Sequence, residues 1–174
     1  TLKAENFVQL GIECEVAVRL GADIPQGGAP YTREKVSEAI KSLSVAFEVI
    51  DLRRAPGVEP NIQFITGVAA NVYNEGVVLG DPVSNWHDLD LQAAYGSMSI
   101  NGEIVGDGHG SDVMGHPLEP LAWLANKLAE QGINLEENLY PDKKNRLCSA
   151  HPHNYYFEIL TDTGIVGILI IFII

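Results

Sequence analysis

The run Gly11-Ile12-Glu13-Cys14-Glu15-Val16-Ala17-Val18 sets two carboxylates two residues apart inside an apolar, β-prone stretch. Successive side chains on a strand point to opposite faces, so Glu13 and Glu15 leave the same one. Adjacent acids repel and lose hydration, a cost that a cation between them removes. A fold of this chain must therefore give that face to solvent, where charges blunt a sheet edge, or bring a counter-ion to it. A second strand-like run, Val45-Ala46-Phe47-Glu48-Val49-Ile50-Asp51-Leu52, offers Asp51 as a third oxygen donor. Three carboxylates without Cys or His partners suit a hard ion, Mg²⁺ or Mn²⁺, over zinc. Glu48, three positions from Asp51, faces the opposite side of a regular strand, which leaves it a supporting role beside the expected ligands Glu13, Glu15 and Asp51. Cys14 alternates with the two glutamates and is expected in packing, since free Cys behaves as a small hydrophobe.

A chain of 174 residues holds one domain with a real core. Its formal net charge of −12 excludes a general affinity for nucleic acid or anionic lipid, both of which need a basic footprint. Residues 1–140 carry 8 basic and 20 acidic groups, whereas 141–174 carry 3 of each, so the negative charge lies wholly before Pro141. Two cysteines, Cys14 and Cys148, make no disulfide framework. With no signal-peptide pattern at the start, a cytoplasmic location is expected, and the opening at Thr1 reads as that of a fragment or trimmed product.

Along the chain, a strand over roughly 7–20 precedes a turn-rich loop, Gly21 to Pro30. Thr32 is a good N-cap, and Val36, Ile40 and Leu43 follow at helical spacing, which predicts a helix over 33–44 leading into the Val45–Leu52 strand. Residues 62–74 carry Ile62, Ile65, Val68 and Ala69 at helical spacing, and Gly76 to Gly80 is a short strand. Asn101-Gly102 between two strand-like runs, 91–100 and 103–107, is a type I′ hairpin signal. The glycine-rich loop that follows lacks a phosphate-cradle pattern. His109 and His116, with Asp107 and Asp112, lie too loosely spaced for a zinc site to be expected. A helix over 117–131 buries Leu118, Leu121, Leu124, Ala125 and Leu128 and stops at Gly132.

These residues together resemble the fumarylacetoacetate hydrolase superfamily, in its 2-keto-4-pentenoate hydratase and 2-oxo-acid decarboxylase branch. The metal-binding E-x-E of that branch is similar to Glu13-Cys14-Glu15, and its E-I-V-D-x-R strand to Glu48-Val49-Ile50-Asp51-Leu52-Arg53. Its A-D-N segment and G-x-V-L-G strand resemble Ala69-Ala70-Asn71 and Gly76-Val77-Val78-Leu79-Gly80. The longest likeness is that of the helix G-x-P-L-x-x-L-A-W-L-A-N to Gly115-His116-Pro117-Leu118-Glu119-Pro120-Leu121-Ala122-Trp123-Leu124-Ala125-Asn126.

The resemblance implies an α+β fold, a β-rich mixed β-sandwich roll with short helices, incomplete at both ends. It implies Mg²⁺ or Mn²⁺ on Glu13, Glu15 and Asp51, a small 2-oxo acid as substrate, and a homo-oligomer. The chemistry implied is that of a lyase passing through a metal-stabilised enolate. Hydration of 2-hydroxypenta-2,4-dienoate (2-keto-4-pentenoate) in aromatic catabolism leads, with decarboxylation of a 4-oxalocrotonate-type diacid or hydrolysis of an acylpyruvate as alternatives. Arg53 and Asn71 are candidate substrate-binding residues, and no catalytic acid or base is assigned. Ala70 stands where the branch has aspartate. The lysine segment ahead of E-x-E and the G-D-x-V-x-T-G strand of the branch have no counterpart here.

The expected hydratase-like part is 1–140. Beyond it, Ser149 to Gly167, with His151 and His153, resembles the H-x-H-N…E-x-G-x-x-G signature of the membrane-embedded O-antigen ligases and polymerases. The apolar run Ile165 to Ile174 is short of the roughly 20 residues that span a bilayer, but reads as the start of a membrane helix in a longer protein. A junction between unrelated pieces is expected near Leu139–Pro141. The competing reading is an inactive fragment or chimera, with 141–174 as a foreign tail able to associate with membranes.

Overall fold

A computed structural model describes residues 2–53 and 56–135. The expected junction and the tail 141–174 lie outside the described residues. Within them the fold is α+β, with two small antiparallel sheets and three short helices. Strands β1 (Leu10–Leu20), β2 (Ile40–Asp51) and β3 (Asn74–Leu79) form one sheet in the order β1-β2-β3. Strands β4 (Tyr95–Ile100) and β5 (Glu103–His109) form a separate hairpin. The helices are α1 (Arg33–Ser37), α2 (Pro60–Ala69) and α3 (Glu119–Glu130).

The helix expected over 33–44 ends early. Thr32 caps it, accepting from the Lys35 amide at 3.3 Å, but from Ile40 the chain pairs with β1, Leu20 opposite Ile40 and Val18 opposite Leu43. Val36, Ile40 and Leu43 fit a helix period, yet a ladder running back to Leu10 opposite Asp51 satisfies more backbone groups than two further helical turns. The hairpin forms as its Asn-Gly predicts: Asn101 and Gly102 both take positive φ, 52° and 87°.

The core lies at one end of the larger sheet. Val18, Leu20, Ile40 and Leu43 pack with Val36 of α1 and with Leu121, Leu124, Ala125 and Leu128 of α3. Each of these valine, leucine and isoleucine side chains contributes about 1.5–3 kcal/mol by leaving water. Gly132 closes α3 in the left-handed region, φ 76°, and lets the Ile133 amide donate to the Leu128 carbonyl at 2.9 Å. Asn126 ties the preceding loop to α3: its Nδ2 donates to the Tyr31 carbonyl at 2.8 Å and its Oδ1 accepts from the Tyr31 amide at 2.7 Å.

Away from that end the sheet is open. Cys14 is exposed, contrary to its expected place in packing. It shares its face with Phe47 and Val45, both exposed, the latter at 75%. Alternation put Cys14 opposite the glutamates correctly, but α1 and α3 cover that face only around Val18 and Leu43.

Candidate metal centre

The register of β1 on β2 decides which acids meet. Glu13 stands directly across from Glu48 and Glu15 across from Ala46, so Glu13, Glu15 and Glu48 share one face of the sheet. A ligand oxygen from each of the three lies within 4.8 Å of the others. Asp51 stands across from Leu10, three residues from Glu13 and therefore on the opposite face. The expected trio of Glu13, Glu15 and Asp51 is thus not the one the sheet assembles. Glu48, and not Asp51, is the third carboxylate beside Glu13 and Glu15, and the two acids of β2 face opposite sides as their spacing requires.

The electrostatics of the cluster are those of neighbouring acids that repel one another. Glu15 is pushed up from its ordinary 4.5 to about 7, by burial first and then by the negative charges of Glu48 and Glu13. Glu48, only 6% exposed, is also raised by burial and by Glu13, against a hydrogen bond from Asn74 that lowers it. That bond runs from Asn74 Nδ2 to Glu48 Oε1 at 2.6 Å. Three clustered carboxylates, one buried and one holding its proton near neutrality, are a donor set that fits a hard divalent ion of the Mg²⁺ class.

Asp51 has different company. Its Oδ1 accepts from the backbone amides of Val8 and Gln9, each at 2.8 Å, and its Oδ2 from Arg53 Nε at 2.9 Å. The Gln9 amide, the Arg53 side chain and the Val8 amide hold the carboxyl below its ordinary 3.8 despite burial, the Gln9 bond being the largest influence. Arg53 also forms an ion pair with Glu75. The guanidinium expected to meet a substrate carboxylate is therefore engaged by two of the chain's own. Asn71, the other expected substrate contact, is half-buried on a turn outside the three-carboxylate group. On that turn Asn71, Val72 and Tyr73 all take positive φ, between 52° and 65°, and it leads into β3. Among the described residues His109, His116, Asp107 and Asp112 form no metal-holding group. Instead His116 Nδ1 accepts from the Leu118 amide at 3.1 Å, and Asp112 Oδ2 from the His109 amide at 2.7 Å.

What sequence reasoning missed is Glu48, and the signal was present. Once Glu13 and Glu15 are placed on one face, only one of two acids three apart can join them from a neighbouring strand. The strand register, which the sequence leaves open, chooses.

No family model matches the chain. It is 38% identical over 133 residues to the 2-hydroxyhexa-2,4-dienoate hydratase of Comamonas testosteroni, covering 76% of this chain and 48% of that protein. It is 37% identical over 126 residues to the 4-oxalocrotonate decarboxylase of Pseudomonas putida, covering 71% and 45%. Among solved structures, the 4-oxalocrotonate decarboxylase of Pseudomonas putida G7 complexed with magnesium and adipate aligns with a TM-score of 0.64 at 31% identity, over 76% of this chain and 49% of that one. The same enzyme complexed with calcium and acetate aligns with a TM-score of 0.62. The chain spans about half the length of the curated relatives it matches. Among the described residues no helix is long and apolar enough to cross a membrane.

Proposed function

The chain belongs to the family of 2-keto-4-pentenoate hydratases and 4-oxalocrotonate decarboxylases, of the fumarylacetoacetate hydrolase superfamily, and from that premise we propose that it is a divalent-metal-dependent lyase of small 2-oxo acids. Its ligands are Glu13, Glu15 and Glu48, and its ion is Mg²⁺ or Mn²⁺. The observation that carries the reading is the convergence of these three carboxylates on one sheet face, with Glu15 pushed to about 7.

The ion, when bound, supplies Lewis-acid polarisation of the oxygens of a 2-oxo acid. The chain does the rest through placement. β1 presents Glu13 and Glu15 from alternate positions, and β2 presents Glu48 from the facing register position. Glu15, raised to about 7, would hold an ion only in its ionised form, so binding of a cation there would be accompanied by proton release near neutral pH.

Hydration of a 2-hydroxydienoate is the leading reaction, supported by the 38% identical hydratase. Decarboxylation of a 4-oxalocrotonate-type diacid is the second reading, supported by the aligned decarboxylase structure. The β-rich sandwich roll, assembly into a homo-oligomer and a cytoplasmic location belong to the same proposal. The test begins with Mn²⁺ titration of the full chain. Saturable binding that disappears in the double variant Glu13→Ala/Glu15→Ala is expected. A chain that binds no ion at millimolar concentration, or a double variant that binds equally well, overturns the enzyme reading in favour of an inactive fragment. With metal present, ultraviolet loss of 2-hydroxypenta-2,4-dienoate and CO₂ release from 4-oxalocrotonate then separate the two reactions.

A further inference from the structure

We infer that Asn74 is a positioning residue of the metal centre, which fixes one oxygen of Glu48 and leaves the other for the ion. The inference rests on the metal-centre reading above and adds to it a residue outside the three ligands.

The basis is a one-residue irregularity in β3. Val49 of β2 stands opposite Gly76, but the next residue, Ile50, stands opposite Asn74, so Glu75 has no partner across the ladder. A bulge of this kind adds one residue to a strand and re-aims the side chains on either side of it. With an unbroken register Ile50 would face Glu75, and a fourth acid would join the face that carries Glu13, Glu15 and Glu48. The bulge instead puts an amide there. Asn74 lies opposite Ile50, two residues along from Glu48 on the same face, and its Nδ2 reaches Glu48 Oε1 at 2.6 Å. Glu75 is turned to Arg53.

The chemistry suits a carboxylate that must bind a cation. An amide N–H donates to the ionised form without adding charge, favours that form over the protonated one, and restrains its side-chain torsions. Outer hydrogen bonds of this type to ligating groups are worth on the order of 10–100-fold in metal affinity. The left-handed turn Asn71–Tyr73, with Tyr73 buried, fixes the backbone from which Asn74 projects.

The test compares neighbours on the same bulge, with Mn²⁺ as the probe and the full chain as the protein. Asn74→Ala is expected to weaken Mn²⁺ binding on the order of 10-fold, to broaden the electron paramagnetic resonance lines of the bound ion as Glu48 loses its fixed orientation, and to leave the metal-free Tm close to that of the parent. Glu75→Ala is expected to lower Tm and keep Mn²⁺ affinity within about twofold. Should Asn74→Ala fail to fold, Asn74→Leu keeps the approximate shape and removes the donor, with the same expected loss. Affinity and line shape unchanged in the Asn74 variant, while Glu48→Ala no longer binds, would overturn the role of Asn74 and leave the metal centre standing. Equal losses in the Asn74 and Glu75 variants would assign the effect to the bulge and not to the amide. Absence of Mn²⁺ binding by the parent chain would remove the metal centre itself, a result distinct from either.

Discussion

Glu48 and Asp51 stand three residues apart on β2 and face opposite sides of one sheet. Glu48 meets Glu13 and Glu15 and one neutral amide. Asp51 meets two backbone amides and a guanidinium. Both are buried, at 6% and 2% exposure, yet burial raises the pKa of the first while hydrogen bonds lower that of the second. A buried carboxylate is satisfied or unsatisfied by its partners, not by its depth. Asp51 uses its charge to hold the segment ahead of β1 against β2, whereas the glutamates of the cluster face one another, and burial and mutual repulsion raise Glu15 and Glu48.

The contrast can be broken most directly by exchanging the two roles. Removing Glu48 with Glu48→Ala is expected to weaken Mn²⁺ binding by at least 100-fold, because one of three ligands is lost, and to leave Tm unchanged or higher in the absence of metal as repulsion with Glu13 is relieved. Asp51→Ala should do the reverse. Stripped of their acceptor, the Val8 and Gln9 amides and the Arg53 guanidinium lose part-buried hydrogen bonds, and a fall in Tm on the order of 10 °C is expected. Mn²⁺ affinity, measured below that Tm, should stay within about threefold. An Asp51 variant that folds normally but no longer binds Mn²⁺ would restore Asp51 to the ligand set and undo the assignment made from the register.

pH sharpens the same comparison. Because the pKa of Glu15 is raised from 4.5 to about 7 in the folded state, the folded chain binds more protons than the unfolded one between those values. Its contribution to stability is therefore fully present below about 4.5 and is lost as pH rises toward 7. Asp51 has the opposite sign: its lowered pKa contributes stability above 3.8 that is lost as pH falls through its folded value. Metal-free Tm should decline from about pH 4.5 to 7, and Glu15→Gln should flatten that slope. Added Mg²⁺ should flatten it too, by replacing the proton. A Tm that rises steadily across this range in the metal-free protein would contradict the clustering of the three glutamates. The smallest effect is expected on the sheet's open face: Val45→Thr, at a position 75% exposed, should change stability by no more than about 0.5 kcal/mol, as read from urea unfolding.

Much of the local structure was legible in the residues themselves. Asn101-Gly102 specified its hairpin because few residues other than Asn and Gly tolerate two successive positive φ values. The apolar stripe of α3, Leu121, Leu124, Ala125 and Leu128, went to the core as its spacing required. By contrast, residues 38–44 read as helix because Val36, Ile40 and Leu43 keep a helix period, whereas at the start of β2 Ile40, Ser42 and Leu43 are all buried, so the strand is covered on both faces there and shows no alternation for local periodicity to detect. Cys14 was given the correct side of its strand and the wrong environment, since alternation sorts faces but does not say how far a neighbouring helix reaches.

The sequence by itself determined that Glu13 and Glu15 share a face, that Glu48 and Asp51 cannot share one, and that two acids so placed need either solvent or a counter-ion. Those statements depend only on the two-residue period of a strand and on the cost of like charges in contact. Which of the two acids on β2 completes the set was decided by the tertiary structure alone. The antiparallel pairing of Glu13 with Glu48 runs in one unbroken register with Val18 opposite Leu43, a pair that enters the core some distance along the strands from the acids, and a slip of one residue would have turned Glu48 away. The bulge that brings Asn74 beside Glu48 is likewise a product of pairing between strands, which no local run of residues encodes.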